Sequence, residues 1–94
     1  MSREITNNAA ENRFEIRVDG ALAGFAEYRV RPGNRVVFTH TEVDGAYEGK
    51  GVGSALARGA LDAVRADGGK VTPLCPFIKS YMDRHPEYAD LLGD

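Results

Sequence analysis

A lone thiol, a histidine, a tyrosine and a run of glycines are the parts of this 94-residue chain best suited to chemistry. Cys75, the single cysteine, stands directly before Pro76. Proline is favoured as the first residue of a helix, which puts Cys75 at the N-cap. There the macrodipole and nearby N–H groups favour a thiolate nucleophile. A buried, inert small hydrophobe is the other reading of the same residue. His40 lies near the end of a β-branched stretch and has the side chain poised to titrate near neutrality. It is a candidate base or relay, or else a satisfied histidine in a sheet. Tyr81 offers a hydroxyl that could protonate a leaving thiolate, or a ring for the core. His85 reads as a cap or surface residue. No metal-ligand cluster and no serine triad is visible, so a metal-free site is expected.

The second element of chemistry is the stretch from Val43 to Leu56, which carries Gly45, Gly49, Gly51 and Gly53. Glycine serves where φ must be positive or where another backbone or a ligand comes very close. Such residues feeding a helix leave unpaired N–H groups and the positive end of a dipole facing outward, a seat for phosphate. A Walker A loop fails on spacing, because Gly45 stands three residues before Gly49-Lys50 and Gly51 fills the hydroxyl position. A dinucleotide fingerprint fails too: the third glycine position falls on Leu56 or Ser54. A flexible glycine turn into a helix remains the plain alternative.

The elements that must position these groups follow from pattern. Residues 1–11 carry scattered charge and no apolar period, and read as a mobile tail before a domain spanning residues 12–94. In Arg13–Val18, Phe14, Ile16 and Val18 alternate with charged residues, as in a half-buried strand. Asp19-Gly20 is a hairpin signal, and a partner strand runs from about Leu22 to Val30, with Gly24 marking a bulge or close approach. Arg31–Asn34 is a turn, and Arg35–Val43 is a third, β-branched strand entering the glycine loop. Gly53 to Ala66 is a helix with Leu56, Ala57, Ala60, Leu61 and Val64 on its apolar face. Gly59 marks a close approach to the sheet, and Gly68-Gly69 the helix end. Lys70–Leu74 is a short strand in which Pro73 implies one unpaired side. A last helix follows Cys75, with Phe77, Ile78, Tyr81, Met82 and His85 on one face. The fold class is therefore α+β. A three-stranded antiparallel meander leads into a right-handed β-α-β crossover, then a splayed parallel strand and a C-terminal helix. The splay would open a cleft above the glycine loop.

Composition sets the outer bounds. The chain is 43% hydrophobic and 28% charged, enough for one globular core. A net charge of -2 argues against a general nucleic-acid binder. One cysteine cannot form an internal disulfide and suits a reducing cytosol, and no apolar run reaches membrane-spanning length. A cytoplasmic protein without nucleic-acid or membrane partners is expected.

The segment Glu48-Gly-Lys-Gly51-Val-Gly53 resembles the pyrophosphate loop of the GCN5-related N-acetyltransferases. Together with His40–Val43, Pro73–Phe77, Tyr81 and His85–Tyr88, it resembles the small single-domain members of the YjdJ type, over about Phe14 to Tyr88. The resemblance implies a reduced acetyltransferase fold with acetyl-CoA between the splayed strands. The residues expected around the cofactor are Val43, Glu48, Gly49, Lys50, Gly51, Val52, Gly53, Ser54 and Arg58, with Lys50 and Arg58 chosen for their charge beside the loop. It places His40 and Cys75 at the reacting end, and Tyr81 stays the candidate acid read above from its hydroxyl. Glu48 replaces the Arg or Gln usual in the family. The chain also lacks the two helices that larger relatives insert after their first strand.

The expected function is transfer of an acetyl group from acetyl-CoA to a primary amine on a small molecule, a peptide or a protein. The alternatives are a non-catalytic acyl-CoA-binding module and a nucleotide-binding interaction domain.

Overall fold

The computed structural model describes residues 2–92; Met1, Gly93 and Asp94, which the expected tail and domain include, lie outside the described residues. The alternation read in Arg13–Val18 forms strand β2, and its partner β3 covers Ala21–Arg31. Asp19 and Gly20 turn between them with φ of 50° and 87°, both left-handed, as a tight hairpin requires. Strand β4, Arg35–Val43, pairs antiparallel with β3, and β5, Lys70–Pro73, pairs parallel with β4.

The N-terminal segment departs from expectation. Arg3–Asn8 is a strand, β1, paired antiparallel with β2 along its whole length, so the reading of a tail is corrected. The antiparallel part thus has four strands rather than three, and the sheet runs β1-β2-β3-β4-β5. Only Ile5 of β1 is apolar, so no alternation announces the strand. Backbone pairing holds it instead, with Ile5 against Gly59 and side-chain hydrogen bonds at Arg3, Asn7 and Asn8.

Helix α1, Val52–Ala66, buries Val52, Leu56, Ala57, Ala60, Leu61 and Val64, matching the apolar face read from its period. Leu56 and Leu61 are fully enclosed, and burial of each such side chain contributes about 1.5–3 kcal/mol. The helix ends in a Schellman motif, with Gly69 N–H bonded to Val64 O and Gly68 N–H to Arg65 O while Gly68 takes φ 73°. Gly59 does mark a close approach: a Cβ there would strike the Ile5 side chain of β1. Helix α2, Pro76–Arg84, buries Ile78, Tyr81 and Met82. Both helices share one core with Phe14, Ile16, Tyr28, Phe38 and Val71 of the sheet.

Two irregularities position the site. The β4–β5 ladder stops at Phe38↔Pro73, and the N–H groups of Leu74 and Cys75 both bond Phe38 O, at 3.0 Å each. Beyond that point the chain leaves the sheet, and residues 39–43 of β4 have no strand on that side. The second irregularity is a bulge. Glu27 pairs with His40 and Tyr28 with Phe38, so Thr39 is an extra residue in β4. One extra residue reverses the side-chain alternation. Val36 and Phe38 face the core before the bulge, and Thr41 and Val43 face it afterwards.

Candidate active site

The glycine stretch folds so that its amides stay free. After β4, Asp44 accepts from Ala46 N–H through its carboxylate, and the carbonyls of Asp44, Gly45 and Tyr47 take the N–H groups of Tyr47, Glu48 and Lys50. The first helical bond of α1 runs from Ala55 N–H to Gly51 O. Among the described residues, the amides of Gly49, Gly51, Val52, Gly53 and Ser54 therefore have no protein partner. Gly49 and Gly51 lie at φ 75° and 74°, which few residues other than glycine adopt without strain. Gly51 is the N-cap, with no capping side chain and no acidic residue in the first turn, so the positive end of the helix dipole is left uncapped among the described residues.

These amides open into a cleft of about 490 Å³ between β4, α1 and α2. Of the residues expected around a cofactor, Val43, Glu48, Gly49, Gly51, Val52, Gly53 and Ser54 line it. Its far wall carries Thr41, Tyr47, Phe77 and Arg84, which the sequence reading had not assigned to the site. Arg84 was detectable in principle: it stands seven residues after Phe77, two helical turns along the same face. Gly53 has a packing reason as well, because a Cβ there would lie 2.8 Å from Phe77 Cζ. Of the remaining two, Lys50 is exposed, and Arg58 lines a neighbouring cavity instead.

Cys75 is the N-cap of α2, as its position before Pro76 implied. It is 3% exposed, and its Sγ donates to Thr41 Oγ1 at 3.2 Å. Thr41 lines the cleft, so the thiol sits one hydroxyl behind its wall. The bulge at Thr39 decides this pairing, since without it the alternation would turn His40 rather than Thr41 toward Cys75.

His40 instead lies on the other face of the sheet. Its Nε2 meets Glu42 Oε2 at 2.9 Å, and its ring stands edge-on to Phe25 at 6.3 Å. The structure therefore does not bring His40 and Cys75 together. Tyr81 is buried on α2, stacked on His85 with ring centroids 3.9 Å apart. Burial raises its hydroxyl pKa above the ordinary value, and the nearby Arg58 guanidinium pulls in the opposite direction. Tyr81 lines the cavity on the Arg58 side rather than the larger cleft. His85 is the C-cap of α2 and donates from Nδ1 to Tyr81 O at 2.8 Å, in keeping with its reading as a cap. No helix is long and apolar enough to cross a membrane, and no cluster of metal-ligating side chains occurs among the described residues.

A mixed sheet that parts beside an uncapped, glycine-lined helix terminus is an arrangement suited to a ligand carrying phosphate. The profile of the GCN5-related N-acetyltransferases matches residues 13–91, and the chain belongs to that family. Acyl transfer is the general chemistry that membership carries. The chain is similar to Protein NATD1 of Gallus gallus, 30% identical over 84 residues, covering 88% of this chain and 76% of that protein. It is also similar to a GCN5-like protein from Staphylococcus aureus solved by NMR, with 27% identity, a TM-score of 0.71, and coverage of 94% and 85% of the two chains. A ribosomal-protein-alanine N-acetyltransferase from Brucella melitensis shares the fold at 23% identity and a TM-score of 0.56, over 87% of this chain and 61% of that one.

Proposed function

We propose that this protein transfers an acetyl group from acetyl-CoA to a primary amine, with the CoA pyrophosphate on the free amides of Gly49, Gly51, Val52, Gly53 and Ser54. The observation that carries the reading is the uncapped terminus of α1, with its unpartnered N–H groups, opening into a cleft lined by Thr41, which accepts a hydrogen bond from Cys75 behind it. Amides aimed outward at a helix terminus suit a pyrophosphate without further charge. Arg84 on the facing wall adds a cation. The gap left where β5 quits β4 suits an extended arm carrying amide groups.

Transfer balances in two ways. In direct transfer, the amine nitrogen attacks the thioester carbonyl, the C–S bond breaks, and the CoA thiolate gains the proton that the amine loses. In the covalent route, Cys75 Sγ takes the acetyl group first and its proton passes to the CoA thiolate. The amine then attacks acetyl-Cys75 and its proton returns to the sulfur. The thiol-to-hydroxyl bond at 3.2 Å favours the second route, because Thr41 can orient Sγ toward the cleft. Two observations favour a non-catalytic acyl-CoA-binding module instead. Cys75 is almost wholly enclosed, and His40 and Tyr81 lie away from it.

Amine-dependent release of CoA thiol separates these readings, since a binding module takes up the cofactor without releasing thiol. The loop itself is tested by Gly51→Glu, which adds bulk and a like charge beside the amides. The side chain also meets a φ of 74°, at a cost of about 1–2 kcal/mol. Calorimetry should show a folded variant with no measurable CoA affinity; normal affinity would remove the loop from the site.

A further inference from the structure

The sheet has two outer edges, and the chain treats them differently. The β5 edge is short, Lys70–Pro73, with a lysine at its start and a proline at its end. Both residue types are devices against unwanted strand pairing. The β1 edge has neither. Its register to β2 runs without a bulge from Arg3↔Val18 to Asn8↔Arg13. Ser2 O accepts from Asp19 N–H, which fixes the phase of the ladder. Glu4, Thr6 and Asn8 therefore bond β2, while Arg3, Ile5 and Asn7 aim their N–H and C=O groups outward. Among the described residues, nothing meets those outward groups.

Strand β1 also has apolar surface to cover. Ile5 is its one apolar residue and is only half-buried, against Gly59 of α1. The row of α1 beside the strand is small throughout, with Ala55 near Arg3, Gly59 at Ile5 and Ala63 near Asn7. Those small side chains leave the edge open to a flat approach. The edge is also self-complementary in one register. A two-fold axis through Ile5 sets Ile5 against the second copy's Ile5, Arg3 against its Asn7 and Glu4 against its Thr6. Every outward group of the strand then pairs, in about six hydrogen bonds, and the Thr6 hydroxyl can donate to the facing carboxylate. Centring on Glu4 would set two carboxylates directly opposite, and centring on Thr6 would leave the groups of Arg3 unpaired. With Ile5 at the centre, Arg3 approaches the end of the second copy whose groove carries Asn7 and Asp67, so unlike charges meet.

We infer that β1 is a homodimer edge, at which two copies of this chain pair antiparallel about Ile5 and join their five-stranded sheets into one. Pairing covers Ile5 from its open side. It also fixes the strand whose Arg3 donates to Lys50 O in the glycine loop at 2.7 Å. Each copy keeps its own cleft, which lies between β4, α1 and α2. The inference does not rest on acetyl transfer. Edge pairing over six residues falls short of the about 1,000 Å² of a stable interface, so the dimer is weak. Its Kd is on the order of 10–100 μM.

Sedimentation velocity of the full chain, from about 1 μM to about 1 mM, reads the association directly. The average mass should rise from one copy toward two. Amide hydrogen exchange identifies the surface. The Ile5 and Asn7 amides have no partner in the monomer, and should exchange about 5-fold or more slowly at the high concentration. The Thr6 amide, which bonds β2, should be protected at both. Ile5→Pro removes the donor at the axis without removing a β1–β2 bond, and should weaken association about 10-fold or more. Thr6→Glu sets a second carboxylate against the facing Glu4, and should do the same even if the proline loosens β1. A chain still monomeric at about 1 mM overturns the inference, leaving the edge to solvent or to a foreign strand. So does a dimer whose Ile5 and Asn7 amides exchange freely, or one that both substitutions leave unchanged.

Discussion

At the scale of single residues, the proposed covalent route turns on Cys75 and on the hydroxyl the fold gives it. If the sulfur carries the acetyl group, Cys75→Ala should retain CoA affinity but lose turnover by about 10²-fold or more. Intact mass after mixing with acetyl-CoA, without acceptor, should show one acetyl group on the wild-type chain and none on the variant. The label must form and decay as fast as turnover, since a thiol can also be acetylated off the catalytic path. Near-normal turnover in Cys75→Ala would leave direct transfer as the route. Thr41→Val keeps the shape and removes the acceptor of the Sγ bond at 3.2 Å. It should slow formation of the acetyl label while leaving CoA affinity unchanged, and an unaltered rate would remove Thr41 from the mechanism. Cys75 could be read from the sequence because Pro76 fixes a helix start. Its partner could not, since the bulge at Thr39 decides whether residue 40 or 41 faces it.

At the scale of elements, two close approaches hold the site's framework. Gly24 sits where a Cβ would meet the backbone oxygen of Glu42 at 2.6 Å, and that oxygen cannot move without disturbing the β3–β4 ladder. Gly24→Ala should cost about 1–3 kcal/mol, the usual penalty of overpacking, read as a lower urea midpoint with unchanged slope. An unchanged midpoint would mean that the two strands can part without loss. The other approach joins α1 to β1 through Gly59 and Ile5. Ile5→Ala should cost about 1–3 kcal/mol, less than a fully enclosed isoleucine because Ile5 is only half-buried. A mobile tail would show no effect at all. Gly24 and Gly59 were visible as places of close approach; what Gly59 approaches was not.

At the scale of the whole molecule, the helices cover one face of the sheet and a charged set occupies the other. Glu15 is 4% exposed there, receiving Arg13 Nε at 2.7 Å, Arg17 Nη2 at 3.3 Å and Asn8 Nδ2 at 3.0 Å. The Asn8 and Arg13 hydrogen bonds lead in holding its carboxyl below the ordinary pKa of 4.5, with burial opposing them. A depressed carboxyl stabilises the folded state fully above its unfolded pKa, and that contribution fades as pH falls through the folded value. Glu15→Gln should therefore cost about 1–3 kcal/mol at neutral pH, and the gap to wild type should close below pH 4.5. Denaturant unfolding across that range measures it. A pH-independent gap would assign the loss to packing rather than to charge.

The sequence by itself determined most of what is local. Alternation placed β2, a left-handed dipeptide placed its hairpin, period 3.6 placed the buried face of α1, and glycines marked the open loop before that helix. Each of these signals comes from neighbours in the chain, where backbone sterics and side-chain spacing act directly. The tertiary structure decided what depends on distant partners. Strand β1 exists because β2 offers it a ladder, with Ile5 as its one apolar anchor on Gly59. Thr41 meets Cys75, and His40 does not, because one extra residue in β4 reverses an alternation that composition leaves unmarked. Arg3, Arg58 and Tyr81 share a cavity only because β1, α1 and α2 converge there. Cross-chain pairing and a one-residue shift of register have no compositional signature, which is why folding alone settles them.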